Sequence, residues 1–137
     1  YIVNNYENLP SNVYFSQGWI QDHTDESIFK TGKYSCALIE SYTDNGHIKQ
    51  YNGKYTFPKE KLDIKSWFHK YVDDSVDLEK PIHIWWNAIF PLKRECILSR
   101  PKEYYQMLLD LIPKNGNNPE IAHYFERSWY YIFNCHL

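Results

Sequence analysis

Glycine is scarce in this 137-residue chain, with five in all. There is no Gly-rich phosphate loop, no Gly-x-Ser-x-Gly elbow and no His-Glu-x-x-His helix, so P-loop NTPase, serine hydrolase and zincin readings have no motif to stand on. Cysteine is scarce too. Cys36, Cys96 and Cys135 are widely spaced and odd in number, which excludes a disulfide framework or zinc knuckle and allows at most one internal bridge. Nothing in the sequence marks Cys96 or Cys135 as an activated nucleophile beside a histidine. Charge of one sign is lacking: the net charge is −2 with both signs interspersed, so no field argues for nucleic acid or an anionic membrane. No apolar run approaches the ~20 residues of a membrane span, and no membrane contact is expected in this segment.

What the chain has in abundance is aromatic surface. Aromatics make up 18% of the residues, with thirteen Tyr and five Trp, and 43% of the chain is hydrophobic, enough for one domain with its own core. Such rings stack on sugars or bases, but they fill cores equally well, and core packing is the default reading. There are no internal repeats and no low-complexity linker, so residues 1–137 read as a single domain.

Tyr1 to Glu7 resembles the end of a helix, broken by Leu9-Pro10-Ser11 ahead of a short strand, Val13 to Gln17. Residues 34 to 39 are weakly strand-like and Ser41 to Gly46 reads as a polar loop. Asn52-Gly53, flanked by Ile48 to Tyr51 and Lys54 to Phe57, predicts a hairpin, because both central residues of a type I′ turn need positive φ. Asp63 predicts the cap of a helix with Ile64, Trp67, Phe68 and Tyr71 inward, ending at Asp73-Asp74. Its Lys65 and Lys70 read as solvated charge. Ile82 to Trp86 alternates like a strand, with Ile82, Ile84 and Trp86 on one face and His83 and Trp85 on the other. His83 reads as a half-buried, satisfied histidine. Asn87 predicts a turn, Pro91 an edge or bulge in the next strand, and Lys93-Arg94-Glu95 a polar turn. Pro101 opens a helix with Tyr104, Leu108, Leu111 and Ile112 inward.

The densest group of reactive side chains lies in Asn118 to Phe133. Asn118 predicts the N-cap and Pro119 the first helical position, with Glu120 complementing the helix dipole. Ile121, Phe125, Trp129 and Ile132 form a stripe able to dock on a sheet. His123, Glu126 and Tyr130, at i, i+3 and i+7, align a base, an acid and a phenol on another side with Arg127 beside them, fit for one wall of an active site. A plain ion pair is the competing reading of His123 and Glu126.

A second candidate cluster follows the first strand, where α/β sheets collect ligands. Asp22 and His23 suit Mn²⁺ or Mg²⁺ holding a diphosphate, or else Asp22 or Asp25 caps the next helix. Arg94 and Arg100 have the chemistry to hold phosphate, although arginines flanking a turn also pair with neighbouring acids or carbonyls.

Three blocks appear in order: Asn5-Tyr6-Glu7-Asn8-Leu9-Pro10 leading into Val13 to Gly18 and Asp22-His23; Phe90-Pro91-Leu92-Lys93-Arg94-Glu95 through Ser99-Arg100-Pro101 and Tyr104-Tyr105; and Phe125-Glu126-Arg127-Ser128-Trp129 with Ile132-Phe133. Together they resemble an uncharacterised family, the domain of unknown function numbered 3431, over nearly the whole chain. That family looks glycosyltransferase-like, of the GT-A kind. The resemblance implies an α/β fold in which a mixed sheet is flanked by helices. The nucleotide-binding first strand would lie before Tyr1, so the chain is expected to be the C-terminal portion of a larger domain. It implies a nucleotide-sugar donor, a Mn²⁺ or Mg²⁺ ion, and a saccharide or glycoprotein acceptor. Asp22 and His23 then sit near the diphosphate and metal, although Gln21-Asp22-His23 carries one carboxylate where the transferases have Asp-x-Asp. The donor is expected to be held by Gln17, Gly18, Trp19, Asp22 and His23 with Arg94 and Arg100. The resemblance implies that Glu126 would be the general base and that His123 or Arg127 would stabilise the departing phosphate. The alternative is a non-catalytic carbohydrate-binding or protein-interaction module in which Trp19, Trp85 and Trp86 stack on sugars.

Overall fold

The computed structural model describes residues 1–16, 32–49 and 56–133. Helix α1 (Ile2–Asn5) runs into a 3₁₀ turn (Tyr6–Asn8) that Leu9-Pro10 ends, and strand β1 (Asn12–Phe15) follows. Strand β2 (Tyr34–Ala37) leads to two strand stubs, β3 (Thr43–Asp44) and β4 (His47–Ile48), joined by Asn45-Gly46. Both turn residues have positive φ, 49° and 79°, as a type I′ turn requires. An Asn-Gly hairpin therefore forms inside the stretch expected to be a polar loop. The hairpin expected at Asn52-Gly53 lies outside the described residues.

Helix α2 (Ile64–Tyr71) starts where predicted, with the Asp63 carboxylate accepting from the Ser66 amide at 3.0 Å. It buries Ile64, Trp67 and Phe68. Strand β5 (Ile82–Trp85) ends in a 3₁₀ turn (Trp86–Ala88) around Asn87, whose φ of 59° makes the expected turn. Strand β6 (Phe90–Lys93) runs directly into helix α3 (Arg94–Leu98). The predicted polar turn at Lys93-Arg94-Glu95 is thus the start of a helix. The fully buried Ile97 anchors it, and the Arg94 amide donates to Ser11 O at 3.0 Å.

Helix α4 (Lys102–Asp110) buries Tyr105 and Leu108 and leaves Ile112 exposed beyond its end. The Tyr105 hydroxyl, turned inward, donates to Ile97 O at 2.7 Å, and of the predicted inward residues Leu108 is buried while Tyr104 and Leu111 are half-buried against the core. Helix α5 (Glu120–Ile132) has Pro119 at its N-cap and begins one residue later than the sequence suggests. Asn118 takes φ 55° and its side chain does not cap the helix.

The architecture is mixed α/β. Among the described residues the strands pair two by two, all antiparallel: β1 with β6, β2 with β5, β3 with β4. Pro91 of β6 stands opposite Tyr14 of β1. The core lies between β5, α2 and α5. Trp67 of α2 meets Tyr124 and Phe125 of α5 edge-on at 5.6 and 5.3 Å between ring centres. Trp85 stacks on Phe90 at 4.8 Å, and Phe90 passes the contact to Phe15 and Phe133. Most of the aromatic excess is therefore core. Trp85 is 1% exposed and His83 half-buried, so both faces of β5 are covered. No helix among the described residues is long and apolar enough to cross a membrane.

Candidate functional site

Glu120 fixes the start of α5. Its fully buried carboxylate accepts from the Ile48 amide at 2.7 Å and the Glu60 amide at 2.6 Å, with His47 Nδ1 at 3.2 Å. Two separate segments, β4 and the stretch at Glu60, are thereby tied to one helix end. The Tyr124 hydroxyl adds a bond to Leu62 O at 2.9 Å, and burial followed by the Glu120 charge pushes that phenol well up.

One turn further on, α5 opens onto a cleft of about 480 Å³ lined by Lys33, Tyr42, Ile48, Trp86, Asn87, His123, Glu126 and Arg127. The 3₁₀ turn after β5 sets its opposite wall. Positive φ at Asn87 aims that residue's amide at α5, where it donates to Glu126 Oε1 at 2.7 Å. Glu126 Oε2 lies 3.7 Å from Arg127. The Trp86 indole donates to Ser35 Oγ at 2.6 Å, which fixes its ring, and the Arg127 guanidinium sits 5.4 Å from the ring centre. Trp86 N also donates to Lys33 O at 2.7 Å, which ties Lys33 to the same wall.

Arg127 is 3% exposed and donates to Ser41 O at 2.9 Å and His123 O at 3.1 Å. Its Nε is buried with no partner among the described residues, an unusual state for a buried donor. Burial pushes the guanidinium pKa down and Glu126 opposes this. His123 Nε2 donates to Asn118 Oδ1 at 2.8 Å, which leaves Nδ1 as the acceptor nitrogen of the neutral ring. Burial first and the Arg127 charge second push its pKa down, so the imidazole is neutral at pH 7. Among the described residues the cleft therefore offers one carboxylate, one neutral imidazole and two cationic side chains. That set suits an anionic, hydroxyl-rich ligand. It does not suit a divalent cation, and no cluster of three or more metal-ligating side chains occurs among the described residues.

The structure thus brings Glu126, His123 and Arg127 together as the sequence suggests. Tyr130 is not with them: it is buried, 4.7 Å from the His83 ring and 5.2 Å from Trp85. Gln17, Gly18, Trp19, Asp22 and His23 lie outside the described residues. Arg94 is exposed at the start of α3 and is not among the residues lining the cleft. Arg100 is a structural clamp: it donates to Val72 O and Tyr131 O, both at 3.3 Å, and covers the Tyr104 ring at 4.8 Å. Of the tryptophans considered for sugar stacking, Trp85 is buried and Trp86 lines the cleft. Sequence reasoning missed Lys33, Tyr42 and the Asn87 amide, none of which carries a motif. The positive φ of Asn87 was the nearest signal, since Asn before a break in an alternating strand marks such a turn.

Away from the cleft, Cys36 is a free thiol 3.4 Å from His83 Nδ1, which the Tyr34 hydroxyl also meets. The hydrogen bond with Cys36, ahead of burial, pushes the Tyr34 phenol up to about 12. His83 is satisfied, as expected. Cys96 is disulfide-bonded and offers no nucleophile.

Comparison with protein-family models, with curated proteins and with solved structures returns no match to this chain.

Proposed function

We propose that this chain belongs to a GT-A-like glycosyltransferase that moves a sugar from a nucleotide-sugar donor to a saccharide or glycoprotein acceptor. The observation that carries the reading is the Glu126 carboxylate. The Asn87 amide holds it at 2.7 Å, it lies beside Arg127, and it faces a polar cleft large enough for a sugar. In the proposed step Glu126 takes the proton of an acceptor hydroxyl as its oxygen bonds to the donor's anomeric carbon. The bond from that carbon to the phosphate oxygen breaks, and the nucleoside diphosphate leaves with the electron pair. Lys33 and Arg127 supply positive charge to the cleft as that negative charge develops, and the neutral His123 ring offers a hydrogen-bonding partner.

A panel of uridine, guanosine, cytidine and thymidine nucleotide sugars tests this, run with and without Mn²⁺ because the proposed ligands Asp22 and His23 lie outside the described residues. Turnover or hydrolysis of one donor is expected. Binding and hydrolysis of none overturns the proposal. Glu126→Gln keeps an oxygen for the Asn87 amide and so keeps the fold, while transfer should fall by about 10²–10⁴-fold, the usual contribution of a general base. A non-catalytic sugar-binding module would instead retain full binding in that variant. The burial of Trp85 removes one of that module's three proposed stacking platforms.

A further inference from the structure

The polar cleft does not end at Glu126. A second hollow of about 350 Å³ shares Asn87, His123 and Glu126 with it and continues along α5 over Ala122 and Ile121. That hollow in turn shares Ala88, Ile112, Phe125 and Trp129 with a third, of about 250 Å³, walled by Ile2, Phe15, Leu108, Leu109 and Phe133. The three form one path along a single side of the helix. Ala122, Glu126, Trp129 and Phe133, spaced four, three and four apart, share that side, so the surface changes from charged to apolar within about two turns, roughly 11 Å.

We infer that the path binds an amphiphile whose hydroxylated head lies at Glu126 and whose apolar tail lies over Trp129 and Phe133. This rests on the transferase reading of the cleft and assigns its acceptor class: a saccharide bearing an apolar aglycone, not a free sugar. The chemistry of the far hollow favours a hydrocarbon occupant. Among the described residues no charged side chain lines it. An extended peptide laid there would bury amide groups without partners, whereas an alkyl chain requires none. Leu109 and Ile112, 50% and 43% exposed, form a rim whose covering such a tail would complete.

Methyl, butyl and octyl β-glucoside, each below its critical micelle concentration, are titrated into the full chain with no donor present, and the indole N–H signals are followed by NMR. Affinity should rise with chain length, by up to about fourfold for each methylene that enters the groove. The Trp129 signal should move with the octyl compound and not with the methyl one. In the double variant Leu109→Asp, Ile112→Asp, both at exposed positions, the gain with chain length should disappear while methyl glucoside binds as before. Equal affinity across the series, no binding of any of the three, or a gain that survives in the double variant overturns the inference. The titration needs no donor, so an affinity that grows with chain length together with failure of every donor in the nucleotide-sugar panel would sink the transferase reading and leave the groove standing. Transfer to methyl and octyl acceptors with equal kcat/KM would do the reverse.

Discussion

Glu120 is a fully buried carboxylate on which two backbone donors, from Ile48 and Glu60, converge at 2.7 and 2.6 Å. A glutamine there keeps one oxygen and turns an NH₂ group toward the other donor, leaving a buried N–H unmet. Glu120→Gln should therefore cost about 2 kcal/mol, in the range for losing a hydrogen bond to a charged group. Its urea midpoint should fall without a change in slope; an unchanged midpoint would show that the two amides find water instead. His123 makes the companion case for pH. Its pKa in the folded chain is depressed, chiefly by burial. The unfolded chain therefore takes up a proton first as pH falls, near the ordinary 6.5. The stability linked to this residue is fully present above that pH and is lost as pH falls through the folded value. Urea midpoints measured from pH 7.5 to 5 should fall in the wild type and fall less in His123→Gln. Parallel curves would remove His123 as the cause.

The elements were legible wherever a local signal coincided with a buried face. Asp63 caps α2 and Ile64, Trp67 and Phe68 go inward, as their spacing requires. Ile121, Phe125 and Ile132 of α5 are buried as the stripe demands. Tyr130 was misplaced because helical spacing fixes which residues share a side but not what covers that side along its length. Near His123 and Glu126 it faces the cleft, whereas at Tyr130 it faces His83 and Trp85. The Asn45-Gly46 hairpin was invisible for a different reason: each arm is two residues long, too short to alternate. Tertiary bonding holds it instead, since Gly46 O accepts from the Ile64 amide at 2.8 Å beside the α2 cap. A Cβ at Gly46 would lie 2.7 Å from Asp63 Cβ, at a φ of 79°. Gly46→Ala should thus cost more than about 1 kcal/mol, strain and clash outweighing the gain from a stiffer unfolded chain. Thermal unfolding checks it, and a raised Tm would mean that the turn is not seated as described.

Across the whole molecule the candidate site depends on distant chain segments meeting at α5. Lys33, Trp86 and Glu126 belong to a strand start, a 3₁₀ turn and a helix that no sequence motif links. Core packing and two backbone-donated hydrogen bonds, Trp86 N to Lys33 O at 2.7 Å and Asn87 N to Glu126 Oε1 at 2.7 Å, set their distances. Phe68 shows how that packing is shared. It is fully buried in α2, its ring meets Tyr131 of α5 at 5.4 Å, and the Tyr131 hydroxyl accepts from the His83 amide of β5 at 3.3 Å. Phe68→Ala leaves a cavity where α2, α5 and β5 converge and should cost about 3–5 kcal/mol. Small domains have about 5–15 kcal/mol of stability, so this variant should be barely folded. If the core is one cooperative unit, backbone and aromatic circular dichroism will follow a single shifted denaturant transition in Phe68→Ala. Loss of the aromatic signal well before the backbone signal would instead mean that α5 and its cleft hold their shape without α2. The cleft would then depend on β5 and the Glu120 anchor alone.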